Sequence, residues 1–288
     1  MVKRGGRGWV LELAGDPEHR IDPAGNDIRA RAAQVADDGV DRALVCMSSV
    51  FGIESLPRDE AQPLLDAYMQ GVGELPEQFG HWASACVADP QPDELDRVLD
   101  RPGAAGLALP AGALSGADEL DHLAPLLERL ERLDAPLLVH PGPAPGFQAS
   151  TPSPARPTTP WWWPALTRYV YEMHAAWFAF VAFGRAQHPN LRVVFVMLAG
   201  LAPLHLERLA ARGGPAQAGI DLGIFFDTSS YGPQAIDAMV RALGVDQLVY
   251  GSDRPVVEPR RWTLGEAARH ATLVTNPARL LGPRTPAP

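Results

Sequence analysis

Eight short apolar runs punctuate the chain, and the segments between them carry helical periodicity. The runs are "WVLELA" (9–14), "ALVCMS" (43–48), "HWASACV" (81–87), "AAGLALP" (104–110), "PLLVH" (136–140), "RVVFVML" (192–198), "IFFDTS" (224–229) and "QLVYGSD" (247–253). Strands this apolar must be covered on both faces, and their regular alternation with helices calls for parallel pairing through right-handed crossovers. Eight such units predict an α/β fold, a (β/α)8 TIM-type barrel forming one domain over 1–288, with an open doubly wound sheet as the runner-up. In "ADELDHLAPLLERLERL", Leu120, Leu123, Leu127 and Leu130 recur at helical spacing and mark the face laid on the sheet. Residues 1–8 read as a basic, glycine-rich arm, 141–163 as a long loop after the fifth strand, and 283–288 as a frayed tail.

Composition narrows the partners. A formal net charge of -9 argues against nucleic acid or an anionic membrane, both of which call for a basic face. No apolar run reaches membrane-spanning length and the start lacks a signal peptide's apolar centre, so the expected location is cytoplasmic. The only lysine is Lys3, which removes Schiff-base chemistry, a pyridoxal anchor and a carboxylated lysine bridging two metals. There is no GK(S/T) phosphate loop and no GxGxxG after a strand. A small molecule is therefore the expected partner, and the aromatic and apolar helix faces are compatible with a homodimer. Cys46 and Cys86 sit inside apolar runs and read as small hydrophobes.

In such a barrel the chemistry sits on the loops after the strands' C-terminal ends. The polar residues expected there are Glu12, Ser48, His140, Asp227, Thr228, Ser229 and Asp253. A carboxylate after "LVYGS" needs a cation, a metal or several donors; otherwise Asp253 caps a turn or pairs with Arg254. Glu12, flanked by leucines, points into the barrel or lies solvated at its mouth. An acid, an imidazole and a second acid form the donor set of a hard-cation or zinc site. Arg254 and Arg168, with Arg156 more weakly, are candidates for binding a substrate carboxylate. The cluster Trp161, Trp162, Trp163, Tyr169, Tyr171, His174 and Trp177 is either a stacking wall for a planar substrate, with Trp163 and His174 as its candidate contacts, or an anchor or interface. His81 should precede its strand, on the stability face. His122, His188, His205 and His270 are expected at the surface.

The segments "HPNLRVVFVMLAGLAPLHLERL", "FFDTSSYG", "GVDQLVYGSDRP" and "TNPARLLG" resemble the amidohydrolase superfamily, in the branch containing aminocarboxymuconate-semialdehyde decarboxylase, resorcylate-type decarboxylases and 2-pyrone-4,6-dicarboxylate lactonase. The resemblance is most specific over 188–282 and implies a distorted (β/α)8 barrel with a mononuclear or absent metal centre. It places Glu12 and Ala14 at a strand-one ExH motif, His140 and Asp253 at the histidine and aspartate positions after strands five and eight, and Met197 where strand six would end in histidine. Alanine offers no donor and a thioether is a weak ligand for zinc or manganese, so two functional positions are lost.

What remains is a trio, Glu12, His140 and Asp253, that could hold one zinc or manganese ion. In the metal-free arrangement, which the losses favour, Asp253 is the acid/base, His140 assists, and Arg254, Arg168, Trp163, Ser48, Met197 and His174 contact the substrate. The implied activity is hydrolysis or non-oxidative decarboxylation of a small organic acid, lactone or aromatic acid. The alternatives are a lyase or cyclase on the same barrel, or a ligand-binding barrel without catalysis.

Overall fold

The computed structural model describes residues 2–5, 8–11, 19–147, 160–214, 221–259 and 264–282. Its strands are β1 (Val2–Gly5), β2 (Gly8–Leu11), β3 (His19–Ile21), β4 (Ala43–Val45), β5 (Phe79–Ser84), β6 (Ala104–Pro110), β7 (Leu137–His140), β8 (Val193–Phe195), β9 (Ile224–Asp227) and β10 (Leu248–Val249). Its helices are α1 (Ile28–Asp37), α2 (Arg58–Val72), α3 (Glu94–Leu99), α4 (Ala117–Arg132), α5 (Trp163–Leu166), α6 (Arg168–Ala179), α7 (Arg185–Gln187), α8 (Leu206–Ala211), α9 (Pro233–Leu243), α10 (Glu266–His270) and α11 (Asn276–Leu281).

Strands β4 to β10 form one parallel sheet whose spatial order follows the chain, each strand beside the next. This is the helix-covered α/β wall of a TIM-type barrel, and it accounts for seven of the eight expected runs. The first run behaves differently. Gly8–Leu11 pairs antiparallel with Val2–Gly5 on one side and His19–Ile21 on the other. A Gly5↔Gly8 pair closes the hairpin, so part of the expected arm is strand. Glu12, Ala14 and the tail 283–288 lie outside the described residues.

The core runs along the sheet from β5 to β10 and takes in α4 and α6. Leu107, Leu109, Leu137 and Val139 are buried from the sheet side, and Leu120, Leu123, Leu126, Leu127 and Leu130 from the helix side. Each such leucine contributes about 1.5–3 kcal/mol relative to leaving it exposed. α4 begins with Asp118 and Glu119 and ends with Arg129 and Arg132, which complements the helix dipole at both ends.

Two histidine expectations change. His81 lies within β5 rather than before it and is buried. His188 is also buried, beside Glu131 at 3.9 Å, because it closes the turn into β8 instead of facing water. No helix among the described residues is long and apolar enough to cross a membrane.

Candidate active site

Because the seven strands are parallel, their C-terminal ends open on one face. That face receives Cys46 just beyond β4, His140 as the last residue of β7, Met197 beyond β8, Asp227 as the last residue of β9 and Asp253 beyond β10.

Asp227 is the most heavily bonded of these groups. Its Oδ1 accepts from the Met197 amide at 2.9 Å, the Ser229 amide at 3.2 Å and the Ser229 hydroxyl at 2.5 Å. Burial pushes its pKa up to about 6; the three donors oppose that rise and the charge of Asp253 adds to it. A Cβ at Gly251 would lie 2.1 Å from Asp227 Oδ2, so only glycine lets the carboxylate lie flat against the strand that leads to Asp253. Asp253 itself has a left-handed backbone, φ 54°, and its Oδ2 accepts from the Ser230 hydroxyl. Burial raises the Asp253 pKa, and the Ser230 hydrogen bond works against that rise.

On the β4 side, Ser48 is half-buried and precedes a 3-10 turn, Ser49–Phe51. Glu54 follows in a second short turn with no exposed surface. The Ser49 hydroxyl donates to Glu54 Oε1 at 2.6 Å, while Oε2 is buried without a partner. Burial pushes Glu54 up to about 6. Cys46 lies within electrostatic reach of Asp227, Asp253 and Glu54, and burial first, then those three charges, push its thiol up to about 12.

His140 Nδ1 lies 2.8 Å from the Pro141 carbonyl. A carbonyl only accepts, so Nδ1 carries the proton and Nε2 keeps the lone pair. Burial lowers the pKa of this imidazole, with the Pro141 contact opposing, so it is neutral at pH 7. The turn that follows is fixed on three sides. The Gly142 amide donates to Glu172 Oε2 at 2.9 Å, the Gly142 carbonyl accepts from the Gly112 amide at 2.8 Å, and a Cβ at Gly142 would lie 2.5 Å from the Ser49 carbonyl.

The remaining expected contacts sit on the β10 loop, α5 and α6. Arg254 donates to Asp38 at 2.9 and 3.0 Å and to Glu258 at 2.7 and 2.8 Å, which ties the β10 loop to the end of α1. Arg168 lies over the rings of Phe147 and Tyr169, with Glu172 4.0 Å from its Nε. Trp163 opens α5 and, like Trp161 and Trp162, is exposed, whereas Trp177 belongs to the core. The loop after β7 therefore gives way to helix at Trp163. His174 packs against Phe178 and His205, with centroids at 5.0 and 4.9 Å. Arg156 lies outside the described residues.

Sequence reasoning missed Glu54 and left Asp227 uncommitted. A signal existed for both: an acid between isoleucine and serine in "FGIESL", and an aspartate closing the apolar run "IFFD". Among the described residues no three His, Cys, Asp or Glu side chains come together as a metal ion requires. Met197 presents its backbone amide, not a ligand atom, to Asp227, whose Oδ1 is already occupied by three donors. Glu12, the third member of the expected trio, lies outside the described residues.

A sheet of consecutive parallel strands with carboxyl groups and an imidazole at its C-terminal face is the arrangement of a barrel enzyme. The amidohydrolase family model matches residues 11–282, and the chain belongs to the amidohydrolase family. No curated protein matches the sequence. Similar solved structures include 5-carboxyvanillate decarboxylase from Sphingomonas paucimobilis, with a TM-score of 0.69 and 18% identity over 88% of this chain and 82% of that one. 2,6-Dihydroxybenzoate decarboxylase from Rhizobium has a TM-score of 0.65 and 18% identity over 88% and 87%. The 5-carboxyvanillate decarboxylase of Novosphingobium aromaticivorans, solved with manganese and 3-methoxy-4-hydroxy-5-nitrobenzoic acid, has a TM-score of 0.69 and 16% identity over 88% and 80%.

Proposed function

We propose that this amidohydrolase-family enzyme decarboxylates a small aromatic acid, with Asp253 as the proton donor. The observation that carries the reading is the Asp253 carboxyl group: half-buried at the strand-end face, oriented by Ser230, and shifted toward its protonated form. A raised pKa brings the carboxyl group nearer to the form that donates a proton, which favours decarboxylation over hydrolysis at the same site. The proton of Asp253 passes to the ring carbon that bears the carboxylate, the carbon–carboxylate bond breaks, carbon dioxide leaves, and solvent restores the proton. His140, neutral with its lone pair on Nε2, accepts a hydrogen bond from a ring hydroxyl of the substrate. The exposed tryptophans at the start of α5 and the stacked guanidinium of Arg168 supply the aromatic and cationic surface for a planar anion. Arg254, locked to Asp38, holds the loop on which Asp253 sits.

The solved decarboxylases of dihydroxybenzoate and carboxyvanillate support the substrate class. The test uses those two acids as probes, with carbon dioxide release and the decarboxylated phenol measured together. Asp253→Asn should lower turnover by about 100-fold or more. An Asn variant that retains full turnover sinks the assignment. Metal content per chain in protein purified without chelators addresses zinc or manganese separately. About one equivalent would restore the trio Glu12, His140 and Asp253 as its ligands.

A further inference from the structure

After β8 the backbone turns left-handed for five residues in succession, Met197, Leu198, Ala199, Gly200 and Leu201, with φ between 49° and 65°. Four of these carry a side chain, and L-residues avoid this conformation because Cβ crowds the following carbonyl oxygen. Such a turn persists only where surrounding structure over-determines it. One clasp is visible at its first residue. The Met197 amide donates to Asp227 Oδ1 at 2.9 Å and lies 3.4 Å from the Ser229 hydroxyl, and that hydroxyl is itself bonded to Asp227. A second constraint sits at the middle, where a Cβ at Gly200 would lie 2.7 Å from the Val170 carbonyl.

The same four residues, "DTSS" (227–230), also reach the opposite neighbour. The Gly251 amide donates to the Thr228 hydroxyl at 3.2 Å, Gly251 lies against Asp227 Oδ2, and Ser230 donates to Asp253 from a left-handed backbone of its own, φ 64°. The end of β9 thus grips the strand exits on both sides of it. Each grip ends on a backbone segment in a conformation that L-residues avoid.

We propose that Asp227 and Ser230 are positioning residues for the reaction: Asp227 holds the left-handed turn at Met197 at the strand-end face, and Ser230 aims the Asp253 carboxyl group. The proposal rests on Asp253 as the reacting acid, and two of its tests are independent of any substrate. Asp227 acts as an acceptor, so Asp227→Asn, which keeps an oxygen at the same place, preserves slow hydrogen exchange at the Met197 and Leu198 amides. Asp227→Ala loses it by about tenfold or more. Equal exchange in both variants and in the wild type overturns that half.

Ser230 is exposed, so Ser230→Ala folds normally, and a crystal structure of this variant shows Asp253 in more than one rotamer. An unchanged single rotamer overturns the other half. With 2,6-dihydroxybenzoate or 5-carboxyvanillate as probe, Ser230→Ala lowers kcat about tenfold with KM within about twofold, because the donor is misaimed while binding is retained. A wild-type protein inactive on both acids counts against the proposed substrates. The exchange and rotamer results still decide the positioning roles. Wild-type activity with a fully active Ser230→Ala counts against the aiming role alone.

Discussion

Asp227, half-buried, and Glu54, fully buried, are two carboxyl groups on the same face of the sheet, both raised to about 6, and they reach that value in different ways. Asp227 has three donors on one oxygen and rises despite them, because burial and the charge of Asp253 outweigh the hydrogen bonds. Glu54 has one side-chain donor, Ser49, and a second oxygen with no partner. The first group is built into the backbone around it. The second is an isolated polar atom in an apolar place. A shared pKa therefore says little about what each group does for the fold, and substitution should separate them by sign.

The largest effect is expected at Asp227. Alanine strands the Met197 and Ser229 amides and removes the clasp on a turn that is unfavourable by itself, so Asp227→Ala should destabilise by about 3 kcal/mol. Gly251→Ala should cost nearly as much, since its Cβ would collide with Asp227 Oδ2 and expel the carboxylate from the same donors. Urea unfolding of both variants measures this. A loss under about 1 kcal/mol in both would mean that the turn is held elsewhere and would dissolve the contrast with Glu54.

Glu54 should behave in the opposite way. Between its ordinary value of 4.5 and about 6 the folded protein binds more protons than the unfolded chain, so stability falls as pH rises through that window. Above it the whole penalty is present. Glu54→Gln keeps an oxygen for Ser49 and never ionises, so it should be more stable than the wild type by about 2 kcal/mol at pH 8 and equal to it near pH 4. Unfolding at the two pH values gives the sign directly. A variant less stable than the wild type at pH 8 would mean that the charged carboxylate is wanted where it sits.

These contrasts also mark how far the sequence could be read. Strand alternation was legible because each run is continuously apolar: β6 spans Ala104–Pro110, the same residues as its run. The first run misled because "WVLELA" is apolar enough for a barrel strand, yet the glycines before it let the chain fold back into a hairpin. The eighth-strand aspartate and the histidine after "LLV" announced themselves as polar residues ending apolar runs. The turn at "MLAGL" did not. Four of its five residues favour right-handed structure, and the left-handed path is held by groups far away in sequence, the acceptor Asp227 30 positions on and the Val170 backbone against Gly200. Glu54 was hidden for a related reason: a loop with serine, glycine and proline reads as solvated, and its burial comes from Ser49 and Gly52 packing on the Gly142–Pro143 turn.

The smallest effect concerns Cys46, which senses both carboxyl groups. Its thiol is raised to about 12, and burial is the leading cause, ahead of Asp227, Asp253 and Glu54. If burial dominates, removing one negative charge leaves the thiol protonated near neutral pH and unreactive, because the thiolate is the nucleophile. Alkylation of Cys46 by iodoacetamide at pH 8, followed by mass spectrometry, should therefore rise by no more than about threefold in either Asp227→Asn or Glu54→Gln. A much larger rise in one variant alone would identify that carboxylate, rather than burial, as what silences the thiol. A large rise in both would show that the two carboxyl groups act on Cys46 as one electrostatic unit, and the distinction between a bonded and an orphaned carboxyl group would then hold for stability but not for reactivity.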